Sequence, residues 1–273
     1  MKRFFLLTLA SAALLGASAA PVKTYEVKSP DGRLALVLTA GERLSFTVAR
    51  DGETLVAPSE MALTLSTGEV LGESPRVRSA RRRAVNETID APLYRQSRFD
   101  AAYNELDLRL RGDYGVLARA YDDGVCYRFY TERDGELTIV DETAQLNFEG
   151  DPSAYIPYSK TKIPMRTSFE NTYEYAPLSK FRTQTVAFMP VLVDLGERGY
   201  VLYTESDVEA YPGVYLTYDK EARGFAARFA EYPTETSLTK RFQDVVERSA
   251  DYIARVDGRR SYPWRIVAYA ATV

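Results

Sequence analysis

The sequence predicts an all-β protein, built as one large antiparallel β-sandwich with few short helices. Three observations lead to this prediction. Short runs rich in β-branched and aromatic residues recur along the whole chain, turn signals containing glycine separate them, and helical periodicity is almost absent. No internal repeat, low-complexity tract or linker interrupts the pattern, so residues 20–273 are predicted to form a single domain.

The first nineteen residues are expected to be an export signal outside the fold. Lys2 and Arg3 form a charged n-region, residues 4–15 an apolar h-region, and residues 17–19 a small-residue cleavage site. The apolar run is shorter than the roughly 20 residues that a transmembrane helix needs. A periplasmic or secreted protein without a membrane span is therefore expected.

The strands follow one another with hairpin chemistry between them. The first runs lie at 24–27, 34–39, 44–50 and 61–66. Asp51-Gly52 is expected to be a two-residue hairpin turn, because glycine accepts the positive φ that such turns require. Later strands, with Asp134-Gly135 among their connectors, are predicted at 103–111, 116–121, 125–131, 137–141, 143–148, 186–194, 200–205, 214–218, 225–229, 251–256 and 264–269.

Two segments do not fit the simple strand pattern. In residues 237–249 the apolar side chains fall at helical spacing, although the charges around them also suit a loop with a frayed turn, and both alternatives stay open. A basic cluster is expected to form a solvated edge strand or loop, since charges are a common way to protect a sheet edge; it comprises Arg76, Arg78 and Arg81–Arg83.

Composition excludes several function classes. The net charge of −3 and the pI of about 5.4 argue against a nucleic-acid-binding protein. The chain contains no histidine, which excludes Ser-His-Asp and Cys-His nucleophilic sites and HExxH zinc sites. Its one cysteine, Cys126, is expected to be a small buried hydrophobe. The remaining chemistry belongs to carboxylates, Lys, Arg and Tyr, or to a hard cation held by oxygen.

Residues 164–194 are the stretch most suited to binding a polar ligand. Several aromatic residues, Phe169, Tyr173, Tyr175 and Phe181, are expected to surround a pair of carboxylates, Glu170 and Glu174. Two carboxylates can hydrolyse a glycoside when they are about 5 to 10 Å apart. With 38 acidic residues, however, accidental pairs at this spacing are common, so hydrolysis by this chain alone is not favoured.

Several motifs in a consistent order resemble the N-terminal domain of glycoside hydrolase family 97. They are Ser29-Pro30-Asp31-Gly32, Asp122-Asp123-Gly124-Val125-Cys126-Tyr127-Arg128-Phe129, Glu142-Thr143-Ala144-Gln145-Leu146-Asn147-Phe148, Thr204-Glu205-Ser206-Asp207, Tyr211-Pro212-Gly213-Val214-Tyr215-Leu216 and Ser261-Tyr262-Pro263-Trp264-Arg265-Ile266-Val267. The resemblance implies an exported bacterial α-glucosidase or α-galactosidase. It also implies a super-sandwich related to galactose mutarotase, packed in the family against a (β/α)8 barrel.

The resemblance implies a shared calcium site. The family's catalytic acid and base lie in the barrel, which this chain is too short to contain, so no catalytic residue is expected here. The family's first domain contributes one glutamate to a calcium ion beside the sugar, and Glu170 matches that position. Glu174 is the alternative if the loop register differs, and Glu205 is a further candidate for substrate contact. Trp264 and Arg265 are expected to fix the last strand rather than to meet substrate.

Two hypotheses remain open at this stage. The chain is either the substrate-flanking, calcium-completing domain of an exported α-glycosidase, or a stand-alone module that binds carbohydrate or another protein. The expected ligand is an α-linked glucoside or galactoside oligosaccharide, and the expected partner is a barrel domain. The choice between glucoside and galactoside, and between retention and inversion, belongs to the barrel.

Overall fold

The structure is a computed structural model that describes residues 21–160, 165, 169–239 and 244–272. The predicted signal peptide lies outside the described residues. The described chain contains two short 3-10 helices, Leu178–Lys180 and Gly196–Arg198. Its strands, β1 to β20 in chain order, are Lys23–Lys28, Leu34–Ala40, Leu44–Arg50, Glu53–Leu65, Val70–Leu71, Val77–Asp90, Arg98–Leu110, Tyr114–Tyr121, Gly124–Ala144, Leu146–Asn147, Ser153–Ile156, Glu174–Pro177, Val191–Asp194, Tyr200–Ser206, Tyr215–Asp219, Gly224–Arg228, Pro233–Leu238, Asp244–Ser249, Ala254–Ser261 and Trp264–Ala270.

Eighteen of these strands form one continuous antiparallel network that folds into two layers. The first layer runs β1–β2–β3–β4–β10–β16–β15. The second layer runs β12–β11–β13–β14–β20–β9–β8–β7–β6. Strand β4 belongs to both layers, because its first half pairs with β3 and residues 61–65 pair with β9. The predicted all-β sandwich is confirmed.

The core lies between the two layers and follows the two-residue period of each strand. In β2 the inward side chains of Leu34, Leu36 and Leu38 are fully buried, and the residues between them are half-buried. The rings of Phe46 in β3 and Tyr127 in β9 meet across the layers, with centroids 4.8 Å apart. Alternation of apolar and polar residues thus sets which face of each strand enters the core.

The predicted Asp51-Gly52 hairpin is confirmed. Arg50 pairs with Glu53, so only two residues connect β3 to β4. Both turn residues have positive φ, 50° at Asp51 and 88° at Gly52. These values match the turn that agrees with the right-handed twist of the flanking strands.

The prediction that Asp134-Gly135 connects two strands is wrong. Strand β9 continues through this dipeptide for 21 residues, and it also absorbs the strand predicted at 137–141. Gly135 has a φ of 80°, and the pairing register with β19 shifts between Asp257 and Arg259. The glycine therefore serves a β-bulge, which inserts an extra residue into a strand without ending it.

The helical spacing in residues 237–249 is also misleading. Residues 237–238 and 244–249 belong to β17 and β18, which form a separate two-stranded ribbon. Leu238 and Val245 are 63% and 43% exposed. Because these side chains do not pack into the core, the spacing of apolar residues in this segment does not report its secondary structure. Phe242, which the helical pattern included, lies outside the described residues.

The strand predicted at 186–194 is shorter than expected. Only Val191–Asp194 forms β13, while Ala187 makes single bridges to Tyr158 and Leu216. Pro190 lies between these two pairings and has no N–H to donate to a ladder. The run at 186–194 is apolar because its loop residues Val186 and Ala187 are buried as well as the strand residues Val191 and Val193.

The basic cluster was predicted to form either an edge strand or a loop, and it lies on an edge strand. Strand β6 pairs with β7 alone among the described strands, and its side chains are mostly exposed. Arg78 and Arg81 to Arg83 lie within β6, and Arg76 directly precedes it. Such charges hinder another strand from adding to an open edge.

Candidate functional site

The Glu170 loop, residues 169–173, lies between β11 and β12 at one end of the second layer. The Glu170 side chain is exposed, and it forms no hydrogen bond or ion pair within the described part of the chain. A carboxylate in this state keeps its oxygens available for an incoming ligand. One such group supplies one or two of the six to eight oxygen ligands that calcium takes.

A chain of aromatic rings joins the Glu170 loop to the sandwich. Phe169 contacts Tyr173 at 5.5 Å and Phe188 at 5.6 Å between ring centroids, and Phe188 contacts Tyr215 at 5.2 Å. Tyr173 is 43% exposed at the outer end of this chain. These ring contacts anchor Phe169, the residue next to Glu170, to Phe188 and Tyr215 of the sandwich.

The structure separates the aromatic residues that the sequence grouped around Glu170. Phe181 is buried in the core, where its ring packs on those of Tyr158 and Phe225. Tyr175 points to the other face of β12, stacks on Tyr155 and donates its hydroxyl to Asp194 at 2.8 Å. Only Phe169 and Tyr173 of the predicted group are near Glu170.

Glu174 differs from Glu170 because it already has a cationic partner. Arg182 Nη2 donates to Glu174 Oε1 at 2.5 Å, and the guanidinium lies 4.9 Å from the centroid of the Tyr158 ring. Its role as the alternative ligand stays a prediction. A ligand role would require this ion pair to open or to share its carboxylate.

Glu205 takes part in a buried ion network. Arg265 is 1% exposed and donates to Glu142 through Nε at 2.8 Å and Nη2 at 2.7 Å. Its Nη1 donates to Glu205 at 2.5 Å, and Glu205 also accepts the Val214 N–H at 2.9 Å. Burial opposes the charge of Arg265, but the Glu142 carboxylate outweighs it, so the pKa of Arg265 is raised.

The ion network around Arg265 joins three of the motifs that were identified in the sequence. Glu142, Glu205 and Arg265 belong to three separate motifs that meet in the interior. Substrate contact by Glu205 stays a prediction, since both of its oxygens bind protein groups. Glu142 was missed as a candidate because nothing local distinguishes it from other strand glutamates.

Cys126 has the buried, unreactive environment that the sequence predicted. The thiol is free and buried, and desolvation raises its pKa to about 12. The thiolate, which is the nucleophilic form, is therefore scarce at neutral pH.

Glu105 forms a second ionic cluster, on the outward face of the second layer. It is 3% exposed and accepts from Arg83 Nε at 2.6 Å and Arg119 Nε at 2.8 Å. Burial acts to raise the pKa of this carboxyl, yet the two guanidinium hydrogen bonds prevail and lower it.

We expect Glu105→Gln to reduce the free energy of unfolding at pH 7 by about 1–3 kcal/mol, because Arg119 loses its charged partner. A lowered folded-state pKa gives stability that is present above the unfolded pKa, near 4.3, and is lost as pH falls through the folded pKa. Urea denaturation from pH 7 to pH 3 should therefore show the two proteins converge. Asp134→Asn, in an exposed pair with Arg259, is the control. An equal difference at both pH values contradicts the prediction.

Within the described ranges, no group of three or more Asp, Glu or Cys residues is placed to hold a metal ion. None of the described helices is long and apolar enough to cross a membrane.

Comparisons with known proteins agree on the family. The family model described as "Glycosyl-hydrolase 97 N-terminal" matches residues 27–273. A retaining alpha-galactosidase of Bacteroides thetaiotaomicron is 37% identical over 258 residues, which is 92% of this chain and 39% of the relative.

Solved structures share the fold. A glycoside hydrolase family 97 enzyme in complex with acarbose, from Pseudoalteromonas sp. strain K8, has a TM-score of 0.74 at 14% identity, covering 91% of this chain and 36% of that one. A beta-arabinopyranosidase has a TM-score of 0.76 at 19% identity, covering 91% and 40%. The chain thus spans less than half the length of these relatives. With the family model matched along nearly all of it, this chain belongs to the glycosyl-hydrolase 97 N-terminal family.

Proposed function

We propose that this chain is the active-site-flanking domain of an exported, calcium-dependent α-glycosidase. In this proposal Glu170 gives one ligand to a calcium ion, and a (β/α)8 barrel gives the others and the catalytic groups. The substrate is an α-linked galactoside or glucoside. The observation that carries the proposal is the exposed Glu170 carboxylate, which has no partner among the described residues and lies next to the packed rings of Phe169 and Tyr173.

The residues present fit a shared calcium site rather than a complete one. Calcium prefers carboxylate and other oxygen ligands, and Glu170 supplies an exposed carboxylate. Calcium bound there would act as a Lewis acid that polarises and orients sugar oxygens. In this chain, Phe169 and Tyr173 would position Glu170 and exclude part of the solvent around it.

Relatives support the proposed reaction class. The Bacteroides relative is named a retaining alpha-galactosidase, and the Pseudoalteromonas enzyme was solved with acarbose. Export to the periplasm or beyond the cell rests on the n-region, h-region and cleavage site in residues 1–19.

A chimera tests the role of Glu170 in catalysis. Residues 21–272 of this chain replace the matching domain of the Bacteroides relative, and hydrolysis of an aryl α-galactoside is measured against calcium concentration. Glu170→Gln should raise the calcium concentration needed for half-maximal rate by about tenfold or more, since even indirect partners of a metal cost 10–100-fold. Glu174→Gln is the matched control, with a smaller expected effect. Equal calcium dependence of the chimera and its Glu170→Gln variant would falsify the ligand role.

Calorimetry of the unfused chain separates the two hypotheses. One carboxylate is too few ligands for a stable calcium site, so titrating millimolar calcium into the chain should give no saturable heat, whether or not raffinose is present at a fixed concentration. Saturable binding that Glu170→Gln removes would favour the stand-alone module and contradict the shared site.

A further inference from the structure

A groove of about 440 Å³ lies on the outward face of the second layer, across β8, β9, β20 and the end of β14. No residue of the Glu170 loop lines it. The strand register places Cys126 beside Ile266 and Gly124 beside Ala268, so these residues form its floor. The volume falls within the range typical of sites for small ligands.

The groove exists because the floor residues are small. A Cβ at Gly124 would lie 3.0 Å from the Ala268 Cα, so no larger residue fits there without displacing the backbone. Outward positions of a solvated sheet normally carry long polar side chains. Here Gly124, Cys126 and Ala268 leave a shallow, mainly apolar surface.

Arg119 and Trp264 form one wall of the groove, and they pack against Tyr103 and Arg128 behind it. The Arg119 guanidinium lies 4.5 Å from the Tyr103 ring centroid and 4.7 Å from that of Trp264. Arg128 lies 4.4 Å from the same Trp264 ring. Guanidinium groups stacked on aromatic faces lose little further freedom when they bind a ligand.

The charges along this wall are already paired. Glu105 accepts from Arg119, and Asp207 accepts from Arg128 at 2.7 Å. An anion entering the groove would have to compete with these carboxylates. A neutral ligand with hydroxyl groups would not, and Asp123 and Ser206 offer it an acceptor and a hydroxyl.

We propose that this groove binds a neutral pyranose unit of an oligosaccharide, independently of calcium and of Glu170. The apolar face of the sugar ring would rest on Ala268 and Ile266. Its hydroxyls would face Arg119, Asp123 and Ser206. The site goes beyond the proposed function, because it would hold carbohydrate away from the Glu170 loop.

The single tryptophan of the chain, Trp264, reports directly on the groove. The full chain is titrated with raffinose and with maltotriose in EDTA, following Trp264 fluorescence and saturation-transfer NMR of each sugar. Saturable binding of at least one sugar is expected in the millimolar range, about 1–10 mM, as for a shallow site with few polar contacts.

Three variants locate the binding. The side chain introduced by Ala268→Phe would point outward and fill the groove, so this variant should bind sugar about tenfold or more weakly. Arg109→Lys, on the same sheet face outside the groove, and Glu170→Ala should bind as the unchanged chain does. Absence of saturable fluorescence change and of saturation transfer for both sugars overturns the proposal. Binding that survives Ala268→Phe, or is lost in Glu170→Ala, also overturns it.

Discussion

Replacing Arg265 by methionine is expected to lower the free energy of unfolding by about 3–5 kcal/mol, the cost of leaving buried charges without their partner. Glu142 is 4% exposed, and Arg265 holds both of its oxygens. Glu205 would lose its shortest contact at the same time. Urea denaturation of both proteins at pH 7 measures the difference.

A triple variant shows whether charge or packing causes this loss. Arg265→Met combined with Glu142→Gln and Glu205→Gln removes all three charges, so no carboxylate is left buried without its cation. The triple variant should therefore be more stable than Arg265→Met alone. Arg259→Met, in an exposed pair with Asp134, should leave the unfolding curve unchanged. If the triple variant is as unstable as Arg265→Met, the lost free energy of unfolding comes from packing and not from unpaired charge.

Replacing Phe46 by alanine is expected to lower the free energy of unfolding by about 3–5 kcal/mol, through lost burial and a cavity between the layers. Phe46 is fully buried, and its ring meets Tyr127 of the opposite layer. Pairing on both sides of β3 and of β9 limits how far either backbone can move to fill the space.

Phe99→Ala is the matched control for Phe46→Ala. Phe99 lies on the β6–β7 hairpin and is 40% exposed. The same substitution there removes less buried surface, so urea denaturation should show a clearly smaller change. Similar losses at both positions would contradict the assignment of the core to the space between the layers.

Local chemistry explains why the hairpins were predictable. Asp51-Gly52 favours the two-residue turn with positive φ at both positions, and that turn sets the register of the strands on both sides. The same dipeptide chemistry at Asp134-Gly135 serves a bulge, because β4 and β19 continue to pair with β9 beyond it. An Asp-Gly dipeptide therefore indicates a bend in the backbone. Pairing with neighbouring strands determines whether that bend is a hairpin turn or a β-bulge.

The candidate site was predictable only in part. Glu170 was named because its segment resembles a family motif, and its role as a calcium ligand stays a prediction for an exposed side chain. The partners of Arg265 are 60 and 123 residues away in sequence, so no local pattern connects them. The Glu174–Arg182 ion pair was not predictable either, because it forms only when the loop after β12 places Arg182 over the Tyr158 ring.

The position of β20 constrains the order in which the sandwich assembles. This strand, near the C-terminal end of the described chain, lies between β9 and β14 and pairs with both. Until it arrives, each of those strands has an unpaired edge in the middle of the second layer. Contacts between residues distant in sequence form slowly and leave such edges open to association. We therefore expect the pairing of β20 with β9 and β14 to form late in folding and to be required before the second layer is continuous.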